Sequence, residues 1–265
     1  MPYRHTVSAL VLLGTCAVNL CAQAVKPLEN AHAHNDYLHE RPLFDALDRG
    51  FTSVEADIFL VDGKLLVGHE RESLKPERTL ETLYLTPLAL RVQQNDGRVY
   101  PNGQRFFLLI DIKNDPQATY AHLEKVLATH ADMLTSVDGG KVRRGAVTAV
   151  ITGAQPRDEL VSANPRYAGL DGRLSDLDSD ATADFMPMIS DQWKAHFTWN
   201  GNGRMPAAER TKLKEIVKKA HAANRVVRFW ATPDNESVWT QLRSCGVDLI
   251  NTDQLDRLAA FLLHE

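Results

Sequence analysis

The 265-residue chain predicts an α/β fold, a single-domain (β/α)8 TIM barrel. Three observations predict it: short apolar runs recur eight times after residue 25, amphipathic stretches separate most of them, and polar side chains end several different runs. Such alternation implies parallel strands joined by right-handed crossovers. The alternative is an open doubly wound sheet, but no Gly-rich phosphate fingerprint follows the first run.

The strands are expected, in order, at Leu28–His34, Ser53–Leu60, Phe106–Lys113, Ala146–Thr152, Tyr167–Leu174, Met186–Ser190, Arg225–Ala231 and Val247–Thr252. Helices are expected at Pro42–Asp48, Ala118–Met133, Arg157–Ala163, Pro206–Ala223, Ser237–Ser244 and Gln254–Leu263. Pro206–Ala223 has the clearest pattern. Pro206 suits a first helical turn, and Leu213, Ile216, Val217 and Ala220 make one apolar face. Asp62-Gly63 is a two-residue hairpin signal just after the second strand.

Arg4 and His5 precede an apolar stretch from Val7 to Leu20 and then Ala22-Gln23-Ala24, the pattern of a signal peptide over residues 1–24. The barrel domain is then residues 25–265, and the chain is expected to be exported, periplasmic or secreted. The stretch is short and broken by Ser8, Gly14, Thr15 and Asn19, which disfavours a retained membrane span. Cys16 and Cys21 would leave with the signal, so Cys245 has no partner for an internal disulfide. A net charge of −4 argues against nucleic acid as a partner, and the protein is expected to be a monomer without an integral membrane span.

Glu55 and Asp57, two apart on the second strand, project from one face. Two neighbouring anions in a barrel mouth call for a cation, and Mg²⁺ or Ca²⁺ suits oxygen ligands. A solvent-facing strand with alternating charge would give the same pair. The third strand argues for the site: Phe106–Ile110 is wholly apolar yet runs into Asp111-Ile112-Lys113, adding a third carboxylate and a cation on one face. A strand-to-helix salt bridge is the plainer alternative there. On the first strand, the Asn35 amide oxygen suits a hard ion and the His34 imidazole suits proton transfer. Strict hairpin register sets His69 opposite Ala56, facing away from the acids, unless Gly68 relaxes the pairing.

These motifs, His34-Asn35, Glu55-Ala56-Asp57, Val67-Gly68-His69-Glu70 and Leu109–Lys113, resemble the PLC-like phosphodiesterase superfamily of glycerophosphodiester phosphodiesterases and phosphatidylinositol-specific phospholipases C. His32–Tyr37, Arg41-Pro42-Leu43, Phe51–Asp57, Tyr84–Leu88 and Phe229–Asp234 further resemble its altered inheritance of mitochondria protein 6 branch. The resemblance implies a metal-dependent phosphoric diester hydrolase with Asn35, Glu55, Asp57 and Asp111 as metal ligands and His34 and His69 as the acid/base pair. Lys113 and Arg228 would bind phosphate oxygens, and Trp230 would stack on a glycerol or inositol-like group or else lie in the core. The substrate would be a small-molecule or lipid-derived phosphodiester, attacked by water or by a neighbouring hydroxyl. Asn35-Asp36 stands where the glycerophosphodiesterases carry Arg-Gly, and Asp111 where they carry Glu, which leaves the substrate open. Two other functions stay open: a barrel that binds a phosphorylated ligand without turnover, and an amidohydrolase-type metal site using His32, His34 and Asp253.

Overall fold

The computed structural model describes residues 25–101 and 103–264. Eight parallel strands form β1 (Leu28–Ala33), β2 (Phe51–Val61), β3 (Phe106–Ile112), β4 (Val147–Gly153), β5 (Ala168–Gly172), β6 (Met188–Gln192), β7 (Val226–Trp230) and β8 (Leu249–Thr252). Each pairs with the next, and β1 pairs with β8 to close the barrel. Closure leaves no exposed parallel edge. The predicted (β/α)8 barrel is the fold, with strand ends displaced by a residue or two from the sequence expectation. The segment read as a signal peptide lies outside the described residues. Among the described residues, no helix is long and apolar enough to cross a membrane.

The helices are α1 (Phe44–Asp48), α2 (Thr86–Gln94), α3 (Pro116–Ala128), α4 (Arg157–Ser162), α5 (Trp193–His196), α6 (Ala207–Ala222), α7 (Glu236–Ser244) and α8 (Leu255–His264). The α3 helix starts before the expected Ala118, because the Asp115 side chain accepts from the Ala118 amide and Pro116 fits the first turn. It stops at Ala128, and Ala131–Met133 is a separate short turn. The sequence reading places no helix over Thr86–Gln94. Pro87 there sits in the first turn, where a missing N–H breaks no helical bond.

Alternation along each strand divides its side chains between lumen and helices. On β3, Leu108, Ile110 and Ile112 join the core beneath the helices, whereas Phe107 and Leu109 pack in the lumen with Val150, Met188 and Leu249. Nearer the strands' C-terminal ends, the lumen turns polar. Glu55, Arg228, Asn251, Asp171 and Ser190 are all buried there, between the apolar plug and the mouth. Placing charged groups in such a layer requires that they satisfy one another.

The hairpin forms as expected: Asp62 and Gly63 both take positive φ, 47° and 71°, and Lys64–Val67 returns antiparallel to β2. The ladder ends at Ile58 opposite Val67. Gly68 N–H still donates to Asp57 O at 3.1 Å, after which the chain leaves the sheet. His69 is therefore outside the register that would have turned it away from the acids.

Candidate active site

The mouth at the strands' C-terminal ends holds a cavity of about 500 Å³ lined by His34, Asn35, Glu55, Asp57, His69, Asp111, Lys113, Arg173, Arg228 and Trp230, among others. The nine residues singled out from sequence thus converge. Parallel register sets Asp57 directly beside Asp111 and Glu55 beside Leu109, so the three carboxylates come from two adjoining strands. Each brings an oxygen within 4.8 Å of the other two.

Their environments differ. Burial opposes ionisation of Glu55, but Arg228, His32 and His34 outweigh it and hold the carboxyl well below the usual range. Asp111 is pushed up to about 6, by burial first and then by the anions Asp57 and Glu55, with Lys113 acting against the shift. Its Oδ1 is buried without a hydrogen bond, although Lys113 Nζ stands 3.2 Å away. The same Nζ lies 2.9 Å from Asp57 Oδ2, and the pull of both acids outweighs burial to raise the lysine pKa. Three converging carboxylates, one with an unpaired oxygen, form a donor set that fits a divalent cation. Asn35 adjoins them through Tyr37, whose hydroxyl is 2.7 Å from both Asn35 Oδ1 and Asp57 Oδ2.

His32 of β1 and His34 just past its end are held differently. His34 donates from Nδ1 to Asp253 Oδ1 at 2.8 Å, which leaves Nε2 facing Glu55 Oε2 at 3.9 Å. Burial lowers its basicity, but Asp253 and Glu55 outweigh that and raise its pKa. His32 is fully buried. Its Nε2 accepts from Arg228 Nη1 at 2.6 Å, so Nδ1 carries the hydrogen donated to Ser53 Oγ at 2.7 Å. Neither nitrogen is left for a metal, which removes the histidine pair that the amidohydrolase alternative needs. His69, half exposed, places Nδ1 3.0 Å from Asp57 Oδ2.

Among the residues expected to bind substrate, Lys113 is ion-paired as described and Trp230 ends β7 on the cavity wall. Arg228 is 2% exposed, and its Nη1 lies 3.3 Å from Glu55 and 3.2 Å from Asn251 besides His32. It braces the carboxylate layer from below. The sequence reading assigned no role to Arg173, Gly153 or Tyr37. Arg173 reaches the cavity from just beyond β5, held by Asp171 Oδ2 at 2.9 Å, which Thr152 and Ser190 also contact. Gly153 ends β4 with φ 71°, and a Cβ there would stand 2.1 Å from Asp111 Oδ1. Asp253 is orienting His34 rather than binding metal; its position just past β8 was the one available signal.

Comparison with known proteins agrees with this fold. The superposable structures include a calcium-dependent phosphoinositol-specific phospholipase C from Pseudomonas sp. (15% identity, TM-score 0.54, covering 87% of this chain and 91% of that one). Another is a glycerophosphodiester phosphodiesterase from Parabacteroides distasonis (12% identity, TM-score 0.55, covering 90% and 98%). The barrel is therefore of the fold that these two phosphodiesterases share. Residues 20–170 match the AIM6-like phosphodiesterase domain, and residues 226–256 match the glycerophosphoryl diester phosphodiesterase family. Altered inheritance of mitochondria protein 6 of Eremothecium gossypii is 31% identical over 284 residues, spanning 94% of this chain and 73% of that protein. Its homolog in Arthroderma benhamiae is 29% identical, spanning 85% and 81%. The chain belongs to the AIM6-like phosphodiesterase domain family. These relatives also correct the expectation of an exported, periplasmic or secreted protein, because they are named for mitochondrial inheritance, which points to a cellular role rather than export. An apolar run between Arg4 and Ala22-Gln23-Ala24 carried that expectation, and such a pattern does not by itself specify a compartment.

Proposed function

We propose that the protein is a metal-dependent phosphoric diester hydrolase acting on a glycerophosphodiester or phosphoinositide-like substrate by histidine acid/base catalysis. One observation carries the reading: Glu55, Asp57 and Asp111 meet within 4.8 Å at a barrel mouth whose cavity also holds His34 and His69. The three carboxylates, with Asn35 beside them, would hold Mg²⁺ or Ca²⁺. Such an ion would supply charge stabilisation at a non-bridging phosphate oxygen. The calcium dependence named for the Pseudomonas phospholipase supports a divalent ion in this position.

The chain's own groups do the remaining work. Asp253 holds the His34 Nδ1–H, so Nε2 is the nitrogen that takes or gives a proton in the cavity. His69, anchored through Nδ1 to Asp57, offers its own Nε2 from the opposite loop. Lys113 and Arg173 add positive charge at the cavity wall for the remaining phosphate oxygens. Arg228 keeps Glu55 ionised.

The test is release of product from bis-p-nitrophenyl phosphate, glycerophosphodiesters and phosphatidylinositol, with and without chelator. Chelator-sensitive turnover is expected for at least one. His34→Ala and His69→Ala should each lower kcat by about 10²- to 10⁴-fold with the circular dichroism spectrum unchanged. Absence of metal-dependent release from all three substrates would overturn the assignment. A second reading, binding of a phosphorylated ligand without turnover, draws on Lys113 lying between Asp57 and Asp111, where its ammonium already offsets their charge.

A further inference from the structure

Tyr37 belongs to the short helical turn Asp36–Leu38 that follows β1, and it is 2% exposed. Its hydroxyl stands at the junction of three site residues: Asp57 Oδ2 and Asn35 Oδ1 at 2.7 Å each, and His69 Nδ1 at 3.3 Å. A phenol has one proton to donate, and the carboxylate is the stronger acceptor. With that proton shared between Asp57 Oδ2 and Asn35 Oδ1, both of which only accept, the phenolic oxygen turns a lone pair toward His69 Nδ1. His69 Nδ1 then faces two acceptors, Asp57 Oδ2 and the Tyr37 oxygen. Both contacts are satisfied only when Nδ1 carries the hydrogen, which in the neutral imidazole leaves Nε2 unprotonated.

The position of residue 37 is itself built. Arg78 donates to the Tyr37 carbonyl at 2.5 Å. Next to it, the fully buried Asp36 accepts from the Leu43 amide at 2.6 Å and from the Tyr84 hydroxyl at 2.9 Å. Leu43 is held at φ 66°, a backbone strain that Asp36 helps to sustain. The turn is thus tied to α1, to the loop after the hairpin and to the segment before α2. His69, by contrast, is half exposed on a loop, with Glu70 Oε1 3.6 Å from its Nε2 as its other charged neighbour.

We infer that Tyr37 is a positioning residue: its hydroxyl couples the Asp57 carboxylate to His69, fixing that imidazole as the Nδ1–H tautomer with Nε2 directed to the cavity. The kinetic consequence rests on the hydrolase reading, whereas the tautomer does not. Fixing a tautomer through a hydrogen bond to the other ring nitrogen is how a neighbouring group sets which nitrogen works.

The variant Tyr37→Phe keeps the buried ring and removes only the hydroxyl. With the imidazoles neutral, ¹⁵N NMR of the full-length protein reads the tautomer of His69, assigned by comparison with His69→Ala. The wild type is expected as Nδ1–H, and Tyr37→Phe with a raised Nε2–H fraction, since the Asp57 contact alone then favours Nδ1–H. On bis-p-nitrophenyl phosphate, the same variant should lose about 10- to 100-fold in kcat with KM within about twofold. Tyr84→Phe serves as control, because it removes a hydroxyl that anchors the same turn from outside it without touching His69. Its His69 should remain Nδ1–H.

Three results would each overturn the inference: a wild-type His69 protonated on Nε2, an unchanged tautomer in Tyr37→Phe, or an equal change in Tyr84→Phe. The first of these is independent of whether Tyr37→Phe folds. A wild type that hydrolyses no diester yet shows the predicted tautomers would count against the hydrolase reading and leave the positioning role supported.

Discussion

His32 in β1 and His34 just beyond its end stand two residues apart and carry opposite electrostatics. Burial first, and then the Arg228 guanidinium, lowers the His32 pKa from 6.5 to about 4, while Asp253 and Glu55 overcome burial to raise that of His34. A sequence shows the spacing His-x-His but not which ring meets a cation and which an anion, because Arg228 and Asp253 arrive from β7 and from beyond β8. The His32 shift has a consequence for stability. Its folded-state pKa lies below the unfolded value, so between pH 6.5 and about 4 the unfolded chain binds a proton that the folded chain excludes. Stability should fall as pH drops through that window, by on the order of 3 kcal/mol from this residue. Urea unfolding of wild type and His32→Gln across the window checks it. The wild type should lose that amount relative to the variant, and parallel curves would refute the assignment.

At the scale of elements, the candidate ligands were legible because strand alternation places Glu55 with Asp57 and Asp111 with Lys113 on common faces. The position of His69 was not, since it depends on where the hairpin ladder stops. Pairing ends at Val67, and one further backbone bond from Gly68 releases the chain toward Asp57. The loops after β7 and β8 also act together: Asp234 accepts from Thr252 Oγ1 at 2.9 Å and Gln254 Nε2 at 3.0 Å, steadying the segment that presents Asp253 to His34. On β4, Gly153 combines a positive φ with the close approach of Asp111. Gly153→Ala should displace that carboxylate, weaken Mg²⁺ or Ca²⁺ binding by about tenfold or more and cost about 1–3 kcal/mol of stability. Isothermal titration with each metal measures the first effect, and binding equal to wild type would show that Asp111 tolerates the movement.

For the whole molecule, the barrel separates a packed lumen from a polar mouth. Leu109 is fully buried with Phe107, Val150, Met188 and Leu249 at the level from which Glu55, Asp111 and Arg228 rise. Leu109→Ala should reduce unfolding free energy by about 2–5 kcal/mol, read from urea denaturation. A loss below about 1 kcal/mol would show that the plug does not support the fold. Sequence by itself determined the barrel, the order of its strands and, His69 excepted, the residues singled out that converge at its mouth. Those properties follow from local periodicity and from the strand ends at which polar groups interrupt apolar runs. Only the tertiary structure decided which histidine is braced and which is free, how His69 reaches the acids, that Asp253 orients His34, and that Tyr37, Arg173 and Gly153 attend the site. Each of those depends on a partner far away in the chain, brought near by barrel closure, and no local pattern encodes such a meeting.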